Sequence, residues 1–318
     1  MNEQEMAINN CIYKIRVGSH LYGTNTEKSD EDYSGIFIAT EKYYFGLYEV
    51  EEVDLSYESK NENGKNNSDA KDFKLYEIRK FFNLALQNNP NIIEQLFADN
   101  KNILFKDNIF DSVLENKNKF LSKRLFNRFL GYAISQRNKM QIKTENYSDL
   151  IKAYDILNKY DNKLVIIEIP FFKEKDKSGN IRIGDITLPN NLFVKRAKQC
   201  LGEKLKRIGN RRELVEKFGY DTKFASHLIR LLHEGIELLT TENLEFPLKQ
   251  KDTILQIKNG EWSLEKVLDE SDRLTVNIQE FYDKTKLPNS PDINYFSDNQ
   301  AIYYLITSVT SGIHGFVK

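Results

Sequence analysis

The feature that most constrains this chain is a glycine-serine pair followed, after ten residues, by two aspartates one residue apart: Gly18-Ser19, then Asp30 and Asp32. The motif lies between two β-like runs, residues 12–17 and 33–39, each of which reads as a strand. Residues i and i+2 of a strand point to one face, so Asp30 and Asp32 are expected to project together. A Gly-Ser turn lets backbone N–H groups and a hydroxyl reach phosphate oxygens with no Cβ in the way. Paired carboxylates hold divalent cations that bridge such phosphates. Taken alone, Ser-Asp-Glu-Asp reads equally well as a solvated acidic turn. Its setting, between two strands and downstream of a Gly-Ser turn, favours a site for a metal-bound triphosphate.

A two-metal site usually draws on a third carboxylate. Asp72 is the natural one: it opens an alternating segment in which Phe73 and Leu75 take the opposite face. An Asp just ahead of a helix is also an ordinary cap. The helix in question is predicted over 76–86, and another over 92–97, with Pro90 near its first turn. Residues 58–69 read as a polar loop. From about 106 onward helical spacing dominates, over 108–115, 117–142, 147–160, 192–207, 210–218, 221–240, 263–284 and 297–313. Asp221 is the expected N-cap of the 221–240 helix. One interruption, 164–170 with 181–186, is β-branched and alternating, and predicts an inserted β-hairpin. The expected division is 1–105 as a catalytic core and 106–318 as a mainly helical part that closes a cleft over it.

Two helical faces carry further candidates. Lys223, His227, Arg230 and Glu234 recur at spacings of four, three and four. Such a face is commonly just solvated, but a Lys, a His and an Arg in line also make a phosphate clamp, with Arg as a bidentate fork. Gln136 and Lys139 share another face, with Arg137 off it; exposed polar helix and nucleotide contact explain them equally well. Residues 195–217 carry nine basic and three acidic side chains in a chain of net charge −1. That local asymmetry suggests an anionic partner, an RNA or tRNA-like end, though a salt-bridged surface helix fits too. No apolar run approaches the ~20 residues of a bilayer span. The N-terminal residues MNEQEMAINN lack a secretion pattern, and Cys11 and Cys200 form neither a metal-ligand spacing nor a disulfide framework. A cytoplasmic protein is expected.

The Gly18-Ser19/Asp30/Asp32 signature resembles that of the DNA polymerase β-like nucleotidyltransferase superfamily. Later segments resemble a group of predicted nucleotidyltransferases that includes RNA-ligase-associated RNA-repair enzymes. They are Gly18–Gly23, Ser29–Gly35, Asp72 with its helix, Asn89–Glu94, Gly131–Gln136, Gly219–Lys223 and His227–Arg230. The resemblance covers roughly residues 12–250. It implies an α+β fold: a small mixed nucleotidyltransferase sheet with helices, followed by the helical part. It also implies Mg²⁺-dependent transfer of a nucleoside monophosphate from an NTP, with pyrophosphate released. Two Mg²⁺ ions, with Mn²⁺ as the alternative ion, would sit on Asp30, Asp32 and Asp72. Gly18 and Ser19 would take the β- and γ-phosphates, and Lys223, His227, Arg230, Gln136 and Lys139 the nucleotide or substrate. The first-choice acceptor is an RNA end. A protein or small-molecule hydroxyl, or a catalytically inactive nucleotide-binding regulator, stands as the alternative. His20 stands where many relatives carry Arg.

Overall fold

A computed structural model of the chain describes residues 2–27, 29–57, 71–173, 176–208 and 211–298. The 58–69 loop and most of the 297–313 helix lie outside the described residues. By its internal contacts the chain divides into two compact units, neither continuous in sequence. The first comprises 1–133, 228–256 and 268–318; the second, 134–227 and 257–267. The division does not fall at the single cut near residue 105 that the sequence suggested.

The first unit is built on a five-stranded sheet: β1 Cys11–Val17, β2 Glu31–Phe37, β3 Glu52–Asp54, β4 Lys71–Glu77 and β5 Ile103–Lys106. Their order is β3-β4-β2-β1-β5. Only β2 and β4 run parallel. The sheet is therefore mixed, and the protein is α+β. β2 starts two residues earlier than the apolar pattern indicated, because its ladder with β1 and β4 continues through Glu31 and Asp32.

Helices α1 Glu3–Asn9, α2 Ser19–Tyr22, α3 Lys42–Phe45, α4 Ile78–Leu86, α5 Pro90–Leu96 and α6 Asp111–Glu115 surround the sheet. Met6 and Ala7 of α1 pack with Phe37, Val53 and Leu75 on one face. On the other face Ser34 Oγ and the Tyr13 hydroxyl both donate, at 3.0 Å, to Gln95 of α5. The Tyr13 ring stacks there on Phe110. Asn89 caps α5 by accepting from the Asn91 N–H, and Pro90, expected near the first turn, is its first residue, so the helix starts two residues ahead of the predicted 92.

The long helix α7 Arg124–Leu157 begins in the first unit and ends in the second. The second unit also holds the strands β6 Ile181–Ile183 and β7 Ile186–Leu188, with helices α8 Val194–Ile208 and α9 Arg211–Phe218. The hairpin thus exists, but its strands are 181–183 and 186–188. Residues 164–170 do not form its first strand. They coil into short 3-10 turns that bury Ile166, Ile169 and Phe172 at a spacing of three.

Helix α10 Thr222–Thr241 starts at Asp221, whose Oδ1 accepts from the Lys223 and Phe224 N–H groups at 3.1 Å each. Helices α11 Lys251–Lys258, α12 Leu264–Lys284 and α13 Ile293–Asp298 complete the described chain. No described helix is long and apolar enough to cross a membrane.

Gly35, at the centre of β2, fixes how closely the strands approach. A Cβ there would lie 2.5 Å from the Tyr13 carbonyl oxygen and 2.7 Å from Leu75 Cδ2. Gly35→Ala should therefore cost about 1–3 kcal/mol of stability. A lowered midpoint in thermal or denaturant unfolding is expected; an unchanged one would contradict this packing.

Candidate active site

Three chain segments meet at one end of the sheet. β1 ends at Val17, which pairs with Asp32 of β2; Asp32 in turn pairs with Asp72 of β4. Two carboxylates thus stand at matching positions on adjacent parallel strands. Because paired residues share a face, they lie on the face that α5 covers further along. Asp30 is exposed, one position ahead of β2, so the alternation rule does not yet govern it.

Gly18 follows β1 with φ +67°, a conformation that favours glycine. A Cβ on it would come within 2.8 Å of Asp32 Oδ2. The bare Gly18 Cα is therefore the floor against which the Asp32 carboxylate rests. Ser19 begins α2, whose turn closes through the Tyr22 N–H to the Gly18 carbonyl at 3.0 Å. On the β4 side, Ser56 Oγ donates to Asp72 Oδ1 at 3.0 Å and accepts from the Phe73 N–H at 3.1 Å. Ser56 thereby fixes one oxygen of Asp72. Nothing in the sequence pairs a serine with an aspartate sixteen residues on.

The opposite face is differently built. Lys14 Nζ lies 5.1 Å from the Tyr33 ring and 4.6 Å from the Phe73 ring. The Tyr33 hydroxyl donates to Glu31, and that bond, with Arg16 and His20 nearby, holds the Glu31 carboxyl below its usual range. Arg16 Nε and His20 Nε2 are buried with no hydrogen-bond partner among the described residues.

Behind the Gly-Ser turn lies a buried charge cluster. The Tyr22 hydroxyl donates to Glu94 Oε2 at 2.6 Å. Arg230 Nη1 donates to Glu94 Oε1 and, at 2.9 Å, to both carboxylate oxygens of Glu234. Its guanidinium carbon stands 4.3 Å from the Tyr22 ring centroid. Arg230 is 4% exposed, Glu94 3% and Glu234 1%. Arg230, expected as a phosphate fork, is thus committed to two carboxylates. It serves as a positioning residue that ties α2 to α5 and α10. Helical spacing puts Arg230 and Glu234 on one face but cannot tell that this part of the face is buried.

The remaining candidates belong to the second unit. Lys223 is exposed and His227 half-buried near the start of α10; Gln136 is half-buried and Lys139 exposed on α7. Among the described residues, no three His, Cys, Asp or Glu side chains gather closely enough to hold a metal ion. Asp30, Asp32 and Asp72 offer hard carboxylate oxygens of the type Mg²⁺ takes, and Asp32 stands beside a glycine floor that a Cβ would fill.

A mixed sheet with a glycine-serine turn and strand-borne aspartates is the frame of a polymerase β-like nucleotidyltransferase. The chain belongs to the RNA repair pathway DNA polymerase beta family, whose model matches residues 2–270. It is 25% identical to an uncharacterized 38.9 kDa protein from the nrdC–mobD intergenic region of Enterobacteria phage T4, over 78% of this chain and 82% of that one. It also overlaps a crystal structure of a nucleotidyltransferase-like protein from Exiguobacterium sibiricum at 8% identity and a TM-score of 0.25, covering 95% of this chain and 76% of that one. A likeness at that level carries no argument for the fold. Family membership supports a nucleotidyl transfer activity.

The buried cluster makes two predictions. Arg230→Leu leaves Glu94 and Glu234 without their cation and should cost about 3–5 kcal/mol, read by denaturant unfolding. A loss under about 1 kcal/mol would mean the cluster holds nothing together. The second concerns pH. Burial lifts the Glu234 carboxyl well above its ordinary range, against the pull of Arg230 and with Glu94 adding to it. A carboxyl raised on folding contributes stability that is full below about pH 4.3 and lost as pH rises through its folded value. Wild type should therefore lose stability relative to Glu234→Gln as pH rises above about 4.3. Parallel pH profiles of the two midpoints would contradict this.

Proposed function

We propose that the chain is a Mg²⁺-dependent nucleotidyltransferase that moves a nucleoside monophosphate from an NTP onto an acceptor hydroxyl at an RNA end. The observation that carries the reading is the registered pair Asp32 and Asp72, with the Gly18 Cα pressed on the Asp32 carboxylate. Family membership supports the reaction class, and the basic helices of the second unit support an anionic acceptor.

Asp30, Asp32 and Asp72 are the residues that would hold Mg²⁺. When bound, the ions neutralise charge on the phosphates and acidify the acceptor hydroxyl. The chain's own residues do the rest. Gly18 gives the β- and γ-phosphates close access to the backbone, and Ser19 offers a hydroxyl beside them. Ser56 keeps Asp72 oriented on the acceptor side. The acceptor oxygen attacks the α-phosphorus in line; its P–O bond forms as the bond to the pyrophosphate oxygen breaks, and its proton leaves to a carboxylate. Lys223, His227, Gln136 and Lys139 are the second unit's candidates for nucleotide or acceptor contact.

The test is incubation with each α-labelled NTP and Mg²⁺, with and without RNA. Wild type should place label on RNA, and Asp32→Ala should lower that label by at least about 100-fold while keeping its fold. Label on the protein itself would move the acceptor assignment to nucleotidylation. Equal labelling by the variant would overturn the site.

A further inference from the structure

We propose that the second unit carries a binding site for single-stranded nucleic acid at the start of α8. One base would stack on Phe193, with flanking phosphates held by Lys163, Lys195 and Arg196. This deepens the acceptor reading above, on which it rests for its place in the reaction.

The site is an open pocket of about 370 Å³ lined by Asn162, Lys163, Phe193, Lys195, Arg196 and Gln199. Phe193 is 56% exposed, yet its backbone is held firmly. It bridges to Val165; the Ile166 N–H donates to the Leu192 carbonyl and the Val194 N–H to the Leu164 carbonyl, each at 2.9 Å. The Phe193 carbonyl accepts from the Arg196 and Ala197 N–H groups, both at 3.0 Å. Its neighbour Val194 is fully buried. The ring is thus presented to solvent by a fixed support.

The cations around it are also arranged. Lys198 Nζ donates to Asn162 Oδ1 at 3.0 Å and to the Tyr160 carbonyl at 3.4 Å, stapling the loop that carries Lys163 to α8. Arg196 Nη1 donates to Gln199 Oε1 at 2.6 Å, which orients its guanidinium. No carboxylate among the described residues pairs with Lys163, Lys195 or Arg196. The first amides of α8 are already taken: Val194 N–H by Leu164, Lys195 N–H by Asn162. An anion here must therefore be held by side chains.

A stacking face ringed by cations and amides, with no carboxylate paired to Lys163, Lys195 or Arg196 among the described residues, is the composition that grips single strands with little base preference. An acidic peptide would use the cations and leave the ring exposed. A duplex keeps its bases stacked inside and could not offer one to Phe193.

The test is fluorescence anisotropy of the full chain with an end-labelled single-stranded RNA 12-mer, the same sequence as DNA, and its duplex. No NTP or divalent cation is added, so the readout is independent of transfer. Phe193→Ala should weaken single-strand binding about tenfold with an unchanged thermal midpoint, and Phe193→Trp should restore it. Neutralising Lys195 and Arg196 to Gln should flatten the dependence of log affinity on log salt by about 0.7 per charge removed. Tighter RNA than DNA binding, or the reverse, identifies the natural strand, and either supports the site if it depends on Phe193. Equal single-strand and duplex affinity, equal displacement by polyglutamate, or no loss in Phe193→Ala would overturn it. If Phe193-dependent binding holds while no label is ever transferred, the transferase reading fails and this one stands.

Discussion

The arrangement at the Gly18–Asp32 end of the sheet depends on one buried guanidinium. Arg230 sits between Glu94 and Glu234 with the Tyr22 ring against it, and all three charged groups are closed off from water or nearly so. Burying such charges is costly unless each is paired, so the cluster tolerates little displacement of any member. Its four members come from three parts of the chain. Tyr22 ends the short helix that follows Gly18-Ser19, Glu94 lies on α5, and Arg230 and Glu234 are one turn apart on α10. The turn that forms the floor under Asp32 is therefore positioned from behind by charge pairing rather than by apolar packing alone.

Proton content follows from the same geometry. Burial opposes charge on Arg230, but Glu234 and Glu94 more than offset it and hold the guanidinium protonated. Burial lifts the Glu234 carboxyl above its ordinary range, against the pull of Arg230. Such a cluster favours one geometry strongly while adding only modestly to net stability.

Much of this was legible in the sequence. The close approach at Gly18 and the strand positions of Asp32 and Asp72 are legible because glycine marks close approach and strands have a period of two, whereas Asp30 lies ahead of β2. The fold class followed from the same elements and from the helical periodicity beyond them. The bounds were less legible: β2 extends through Glu31 and Asp32, since ladder pairing at a sheet end accepts charged residues that apolar patterning ignores. Residues 164–170 have strand composition, but Ile166, Ile169 and Phe172 bury at a spacing of three, and the hairpin is instead marked by Gly184-Asp185 between two short alternating runs. The burial of Arg230 is not legible from helical spacing, because its partner Glu94 lies 136 residues earlier in the chain. Ser56 left no signal, since a serine becomes an orienting group only once two strands are paired.

The central claim is that Asp32 and Asp72, seated at the Gly18-Ser19 turn, form a Mg²⁺-dependent nucleotide site. Equilibrium binding of a non-hydrolysable NTP, with and without Mg²⁺, tests it most directly in wild type and in the Asp32→Asn, Asp72→Asn double variant. The account predicts that Mg²⁺ tightens binding to wild type by at least about tenfold and that the folded double variant loses this gain. The same Mg²⁺ dependence in both proteins would contradict it.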